Sequence, residues 1–198
     1  HDITERKKMG QRQNAEHVIV KALAESVTID EAIQKILQVL CENLNWEVGA
    51  LWRRDEETHK LHCSETVHLP SPAAEEFIKL TQGAAFNLGE GLVGKAWSRN
   101  YPVWIPDVSL HSDFTRKDAA LKSHVHTAFV FPVRARNKVI GIIELFSTEI
   151  REPDQVFIRM CDALGSQIGQ FVDRKLAEEE LKKVESALVN SEKVSLVA

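Results

Sequence analysis

The chain has 198 residues, 43% hydrophobic and 27% charged, with 25 basic residues against 29 acidic ones and a net charge of -4. That length holds one α/β domain with extra helix, not two ordinary domains. The charge balance gives no reason to expect nucleic acid or an anionic membrane as partner, and no run approaches the roughly 18 apolar residues of a membrane span. The opening HDITERKKMG lacks the apolar core of a secretory signal. Because it starts at His1 rather than an initiator residue, the chain reads as an excised fragment. Cys41, Cys63 and Cys161 lie far apart and form neither a disulfide framework nor a C-x-x-C pair, so a reducing, cytoplasmic setting is expected.

Residues 15–25 read as a short helix. Thr28-Ile29-Asp30-Glu31 has capping-box spacing, the hydroxyl accepting from a free amide and the glutamate reaching back. Ile33, Ile36, Leu37 and Leu40 then repeat on one helical face, which predicts a helix ending near Asn43. VGALWRR (48–54) and KLHCSETVHL (60–69) form a predicted strand pair joined by the charged turn DEETH. Pro70 and Pro72 open a helix expected from about Ala73 to Thr81.

Residues 83–126 carry less regular pattern: a glycine-rich stretch, a short strand PVWIP and a helix around residues 113–122. An irregular stretch of that length is uncommon unless it is functional, which makes it the place to look for a ligand. GEGLVG (89–94) has the G-x-G-x-x-G spacing of a dinucleotide loop. That fingerprint works only between a buried strand and a long helix within a βαβ unit. Here AAFNL is a short lead-in, Pro102 limits the following helix to LVGKAWSRN, and Asp107 follows Pro106 in a turn instead of ending a second strand. The glycines are therefore assigned to flexibility and close packing, letting a short helix fold back over the sheet.

HTAFVFPV and KVIGIIELFS, joined by RARN, predict a hairpin that is central in the sheet because both of its faces are apolar. After REPD a single helix is expected over about residues 154–190. Phe157, Cys161, Leu164, Ile168 and Phe171 follow the 4,3 spacing of a seam, and Leu181, Val184 and Leu188 continue it displaced by one residue. Glu178–Lys182 and Glu179–Lys183 are expected to add i,i+4 support. So long a helix outlasts its domain, and its far half either pairs with a partner helix in a dimeric coiled coil or is a solvated tail.

GEGLVGKAWSRNYPVWIPDV, HTAFVFPVRARNKVIGIIELFS and REPDQVFIRMCDALGSQIGQFVDRKLAEEEL, in that order, closely resemble the GAF domain of bacterial sensor histidine kinases over roughly residues 15–176. DITERK (2–7) resembles the closing segment of a PAS domain, the usual upstream neighbour. The resemblance implies an α+β fold, an α/β/α sandwich on a central antiparallel sheet of five to six strands. The N- and C-terminal helices would pack on one face, and a ligand pocket would lie on the other. It further implies a PAS-derived tail over 1–12, the GAF domain over 13–172 and a coiled-coil signalling helix over 173–198. The partners implied are a second copy through the terminal helices, an upstream PAS domain and a downstream kinase, with no nucleic acid or membrane. The fragment itself holds neither a phosphoacceptor histidine context nor an ATP-binding motif, so it is expected to be non-catalytic.

The chemistries known in the family each meet these residues differently. Of the N-K…F-x-x-x-D-E signature of cyclic-nucleotide binders, Ser147-Thr148 and Ile150 depart and Gln155 follows Asp154, so only the aspartate remains. Methionine sulfoxide reduction needs a thiolate, yet Val93 fills the G-V-C-G slot and no cysteine lies between Cys63 and Cys161. RKDAALKSHVHTAF lacks the cysteine that attaches a bilin. His124 and His126, two apart at a strand start, would share a face and with His111 could ligate haem or metal. Alternatively they belong to a plain polar loop. Phe86, Trp97, Trp104, Phe114, Phe129 and Phe131, with Arg116 and His126 as polar anchors, are the candidate pocket lining. Arg116, Lys117, Lys95 and Arg99 would suit an anionic ligand or simply face solvent. The expected function is a sensory module for a small ligand of unknown identity, with no cofactor required. The alternatives are a ligand-free dimerisation spacer and a haem-based gas or redox sensor.

Overall fold

A computed structural model describes residues 2–71 and 74–197. The apolar runs build a six-stranded antiparallel sheet in the order β3-β2-β1-β6-β5-β4. The strands are β1 (Val48–Arg54), β2 (Leu61–His68), β3 (Ala85–Phe86), β4 (Val103–Ile105), β5 (Thr127–Ala135) and β6 (Lys138–Ser147). β5 and β6 lie inside the sheet, which is why both their faces are apolar. Arg136 and Asn137 make their two-residue turn, both at positive φ (49° and 62°), matching the twist of a tight hairpin.

Alternation along these strands feeds two separate cores. Phe129, Phe131, Val133, Ile143 and Leu145 face the terminal helices α1 (Asp2–Glu25), α2 (Ile29–Leu44) and α6 (Gln155–Val197). Ala128, Val130, Ile142 and Phe146 face the short helices α3 (Glu75–Gly83), α4 (Gly91–Arg99) and α5 (Lys117–Lys122). The sheet is thus sandwiched between two helical layers. No helix among the described residues is long and apolar enough to cross a membrane.

Thr28 caps α2, its Oγ1 accepting from Glu31 N–H at 3.2 Å, while the Glu31 carboxylate accepts from Val27 N–H at 3.1 Å. The reciprocal bond thus lands one residue ahead of the cap. Asn45, left-handed at φ 57°, ends the helix. The helix expected over 15–25 is longer: α1 starts at Asp2, passes through the boundary expected at residue 12, and has Ala15 as its first buried residue. Pro72 and Ala73, where a helix start was expected, lie outside the described residues, and α3 runs from Glu75. The helix expected around 113–122 is confined to α5.

Asp154 caps α6 by accepting from the amides of Val156 and Phe157, both at 3.1 Å, and it also pairs with Arg12 of α1. The seam Phe157, Cys161, Leu164, Ile168, Phe171 is buried against the chain's own sheet. Gly165 and Gly169 let α6 lie directly on β5: a Cβ there would stand 2.0 Å from the Pro132 carbonyl oxygen and 1.5 Å from that of Arg134. Beyond Phe171 the helix leaves the core, and Leu181, Val184 and Leu188 are 59%, 57% and 62% exposed. Glu178 pairs backwards with Lys175 (3.3 Å) and Arg174 (3.9 Å), rather than forwards with Lys182 as the spacing predicts.

Candidate ligand site

The face away from the terminal helices encloses a charged pair in an otherwise apolar core. Arg116 stands immediately before α5 and points to the middle of the sheet, where β6 presents Glu144 between Ile142 and Phe146. Its Nη2 donates to Glu144 Oε1 at 2.7 Å and its Nη1 donates to Thr81 Oγ1 of α3 at 3.0 Å. The second carboxylate oxygen accepts from Trp52 Nε1–H at 2.9 Å. The two side chains are 6% and 0% exposed. Five rings, Trp52, Phe77, Phe86, Phe114 and Phe146, stand with centroids 5.1–5.6 Å from Arg116 Cζ. Electron-rich ring faces attract a cation, and more strongly without water. The Nε–H of Arg116 is buried without an acceptor.

The glycine stretch closes the roof above this core. Gly89 and Gly91 take φ of 81° and 59°, and a Cβ at Gly94 would stand 2.3 Å from the Asn87 carbonyl oxygen. The amides of Gly89, Glu90 and Gly94 bond to Gly94, Asn87 and Glu90 carbonyls at 2.9–3.1 Å. These amides are engaged within the loop, unlike a phosphate cradle, which offers its amides outward. A recess of about 120 Å³ lies outside the core, lined by Lys95, Arg99, His111, Asp113 and Phe114 among others. Phe114 is its shared wall with the Arg116 cage. A larger cleft of about 500 Å³ opens on the opposite side, between the first turns of α1 and Trp46, Trp104 and Arg151.

Phe86, Phe114 and Arg116 come together, and Trp97 packs against the edge of the same core. Trp104, Phe129 and Phe131 do not. Phe129 and Phe131 occupy alternate positions of β5 that face the terminal helices, and Trp104 pairs with Phe129 across the strands and so shares that face. There Phe129 and Trp104 pack with Trp46 and Phe157, and Trp104 Nε1–H donates to the Arg151 carbonyl at 2.9 Å. Arg116 is no free anchor for an anion, since Glu144 already neutralises it. Lys95 likewise pairs with Asp113.

His126 Nδ1 lies 3.4 Å from Asp107 Oδ1. Hydrogen bonding from Ser109, its hydroxyl foremost, holds the Asp107 carboxyl below its usual range. His124 is left-handed (φ 56°) in the turn before β5, so strand alternation does not align it with His126, and His111 lines the recess. Among the described residues no three His, Cys, Asp or Glu side chains are grouped as metal ligands. Cys41 and Cys161 are buried and Cys63 is half-buried. Burial pushes the Cys41 and Cys63 thiols up to about 12, with Glu144 adding to the effect at Cys63, and raises Cys161 well above its ordinary value.

Glu144, Trp52, Thr81, Phe77 and Phe146 complete the cage without having been singled out in the sequence. The available signal was Glu144 itself, a lone carboxylate in the apolar run KVIGIIELFS. A carboxyl group buried in a central strand needs a cation or hydrogen-bond donors opposite it, or it takes up a proton, and each of these marks it as a place to look.

One more side chain ties this layer to the terminal helices. Arg134 of β5 donates through Nε to Asn100 Oδ1 (2.5 Å) and through Nη2 to the Asn100 carbonyl (2.8 Å), at the end of α4. Its Nη1 donates to Asp162 of α6 at 2.7 Å.

A family model described as GAF domain matches residues 26–173. Among solved structures the chain is similar to the GAF domain of a phosphoenolpyruvate-protein phosphotransferase (ptsP) from Coxiella burnetii, at 17% identity over 86% of this chain and 97% of that one, TM-score 0.72. It is similar to the A. aeolicus nlh2 GAF domain in an inactive state (22% identity, 83% and 97% covered, TM-score 0.67). It also resembles the free methionine-R-sulfoxide reductase from Neisseria meningitidis in complex with its substrate (16% identity, 84% and 93% covered, TM-score 0.67). At these identities the likeness is one of fold. No curated protein sequence is a significant match.

Proposed function

The chain belongs to the GAF family, a family of regulatory and ligand-binding modules, and from that premise we propose that it is the non-catalytic sensory domain of a cytoplasmic signalling protein, a sensor histidine kinase by the resemblance of its three sequence blocks. In this reading a small ligand on the α3–α4–α5 face shifts the balance between two arrangements of the domain. Paired terminal helices from two copies carry the shift onward. The observation that carries the reading is the Arg134 bridge, which joins the end of α4 on the ligand face to α6 on the output face. The exposed Leu181, Val184 and Leu188 on the free half of α6 support pairing between copies, because the 3,4 spacing lays them along one side of the helix.

Sedimentation velocity tests the pairing. The chain is expected to sediment as a dimer, and Leu181→Glu with Leu188→Glu as a monomer of unchanged helical content. A monomeric parent chain at micromolar concentration would sink the relay. A second reading, a spacer that binds nothing and passes motion from an upstream PAS domain, draws on the small size of the recess and on the occupation of the cage by Arg116. A thermal shift with candidate ligands separates the two, because a binder of the folded state raises the midpoint by mass action.

A further inference from the structure

We propose that the cage around Arg116 is a recognition site for a small guanidinium or amidinium compound, and that Arg116 is the chain's own occupant of it, a built-in competitor that the ligand displaces. The inference rests on the sensory reading above and names the ligand class for that face.

The chemistry of the cage defines what fits it. Five ring faces and one carboxylate surround the guanidinium, so the site selects a cation. An anion or a neutral molecule taking Arg116's place would leave Glu144 buried without a counter-charge. The two acceptors facing the cation are Glu144 Oε1 and Thr81 Oγ1, each on a different nitrogen of one planar fork. A guanidinium or amidinium satisfies both at once. A quaternary ammonium has no N–H to give either of them.

Arg116 fills this site imperfectly. Its Nε–H is enclosed with no acceptor, the penalty of approaching on a tether from α5. An amidinium has only the two nitrogens that Glu144 and Thr81 accept from and so escapes that cost, and a free guanidinium bears it no more than Arg116 does, while the released arginine regains water around its charge. Exchange of one cation for another therefore keeps every cage group satisfied. The segment that carries Arg116 precedes a helix of only six residues, with no side-chain cap at its start. Outside the core this segment is held by the exposed pair Lys95–Asp113. The recess behind Phe114 gives a route, since that ring borders both the recess and the cage.

The test uses methylguanidinium at millimolar concentration, with sodium chloride as the ionic control, on three forms of the chain: the parent, Arg116→Ala, and Arg116→Met with Glu144→Gln. Binding is read by calorimetry and by the fluorine resonance of 5-fluorotryptophan at position 52, whose indole N–H bonds Glu144. Arg116→Ala is expected to bind saturably. The parent should bind at least about tenfold more weakly, because its own arginine competes for the cage. The doubly neutral variant, which keeps the cage filled and uncharged, should not respond. If Arg116→Ala is unfolded alone, recovery of its circular dichroism on adding methylguanidinium is the expected result. Absence of saturable binding in the parent, absence of binding or of recovery in Arg116→Ala, equal affinity in the two, or an equal response from the neutral variant overturns the proposal. None of these readouts depends on dimerisation, so failure here leaves the helix relay standing, and a monomeric chain leaves the cage proposal standing.

Discussion

Arg134 and Asp162 join β5 to α6 through a 2.7 Å charge-assisted hydrogen bond, and the same guanidinium holds the side-chain and main-chain carbonyl oxygens of Asn100 at the end of α4. Three elements from three layers therefore depend on one side chain. Arg134→Gln removes the charge and most of the donors, and is expected to lower unfolding stability by about 2 kcal/mol. Chemical denaturation checks the magnitude. Hydrogen exchange should show faster exchange near both Asn100 and Asp162; a change at only one of them would mean that the bridge does not couple the layers.

The buried pair gives an asymmetric prediction. Glu144→Gln alone leaves the Arg116 charge uncompensated in an apolar core and should cost about 3–5 kcal/mol. Replacing both, as in Arg116→Met with Glu144→Gln, should fall within about 1–2 kcal/mol of the parent, since a neutral filled core avoids the cost of stripping water from two ions. Urea midpoints of the single and double variants decide it. A double variant as unstable as the single one would show that the charges themselves hold the fold.

Gly169→Ala should destabilise by about 3 kcal/mol, because its Cβ would meet the Arg134 carbonyl oxygen at 1.5 Å and the backbone would have to part. Gly10→Ala is the control: nothing lies within 4 Å of its Cβ, so the better helix former should leave stability unchanged or raise it by about 1 kcal/mol. Thermal melts should show a clear fall for Gly169→Ala and no fall for Gly10→Ala.

The thiols fix a pH dependence. In the unfolded chain a cysteine releases its proton near the ordinary value of 9.0, whereas folded Cys41 and Cys63 keep theirs to about 12. Below pH 9.0 both states are protonated and the thiols do not disturb stability. As pH rises from there towards 12 the unfolded state gains ionised thiolate and stability falls. Cys41→Ala with Cys63→Ala should flatten that alkaline decline in unfolding free energy. A disulfide reagent at about pH 8 should likewise find none of the three thiols in the folded chain, and all three in denaturant.

The sheet was legible where pattern and burial agree. VGALWRR, HTAFVFPV and KVIGIIELFS carry enough apolar residues that only strands buried on one or both faces satisfy them, and the turn and cap residues fix their ends. The short helix α5 was overextended because residues 113–116 form a turn whose anchor is tertiary, Arg116 in its cage, and no local propensity records that. Phe129 and Phe131 read as pocket lining yet pack under the terminal helices for a related reason. A strand apolar on both sides gives no sign of which side meets which helical layer. The cage escaped for the opposite reason: its members come from β1, α3, β3, β6 and the segment before α5, and only the folded sheet brings them together. The glycines of α6 give no such signal in the sequence, because a glycine in a helix reads as a local weakness, whereas here it permits contact with a carbonyl.

Gly165 and Gly169, one helical turn apart, each rest on a main-chain oxygen of β5. Rolling α6 about its own axis would drive a neighbouring side chain, such as Ser166 or Gln170, into those oxygens. A small swing of α6 in the plane of the sheet, pivoting on this short seat, brings no side chain onto either oxygen. The long rod is therefore mounted on a pivot rather than a spindle, so a small change of direction at the sheet becomes a sideways sweep at its far tip.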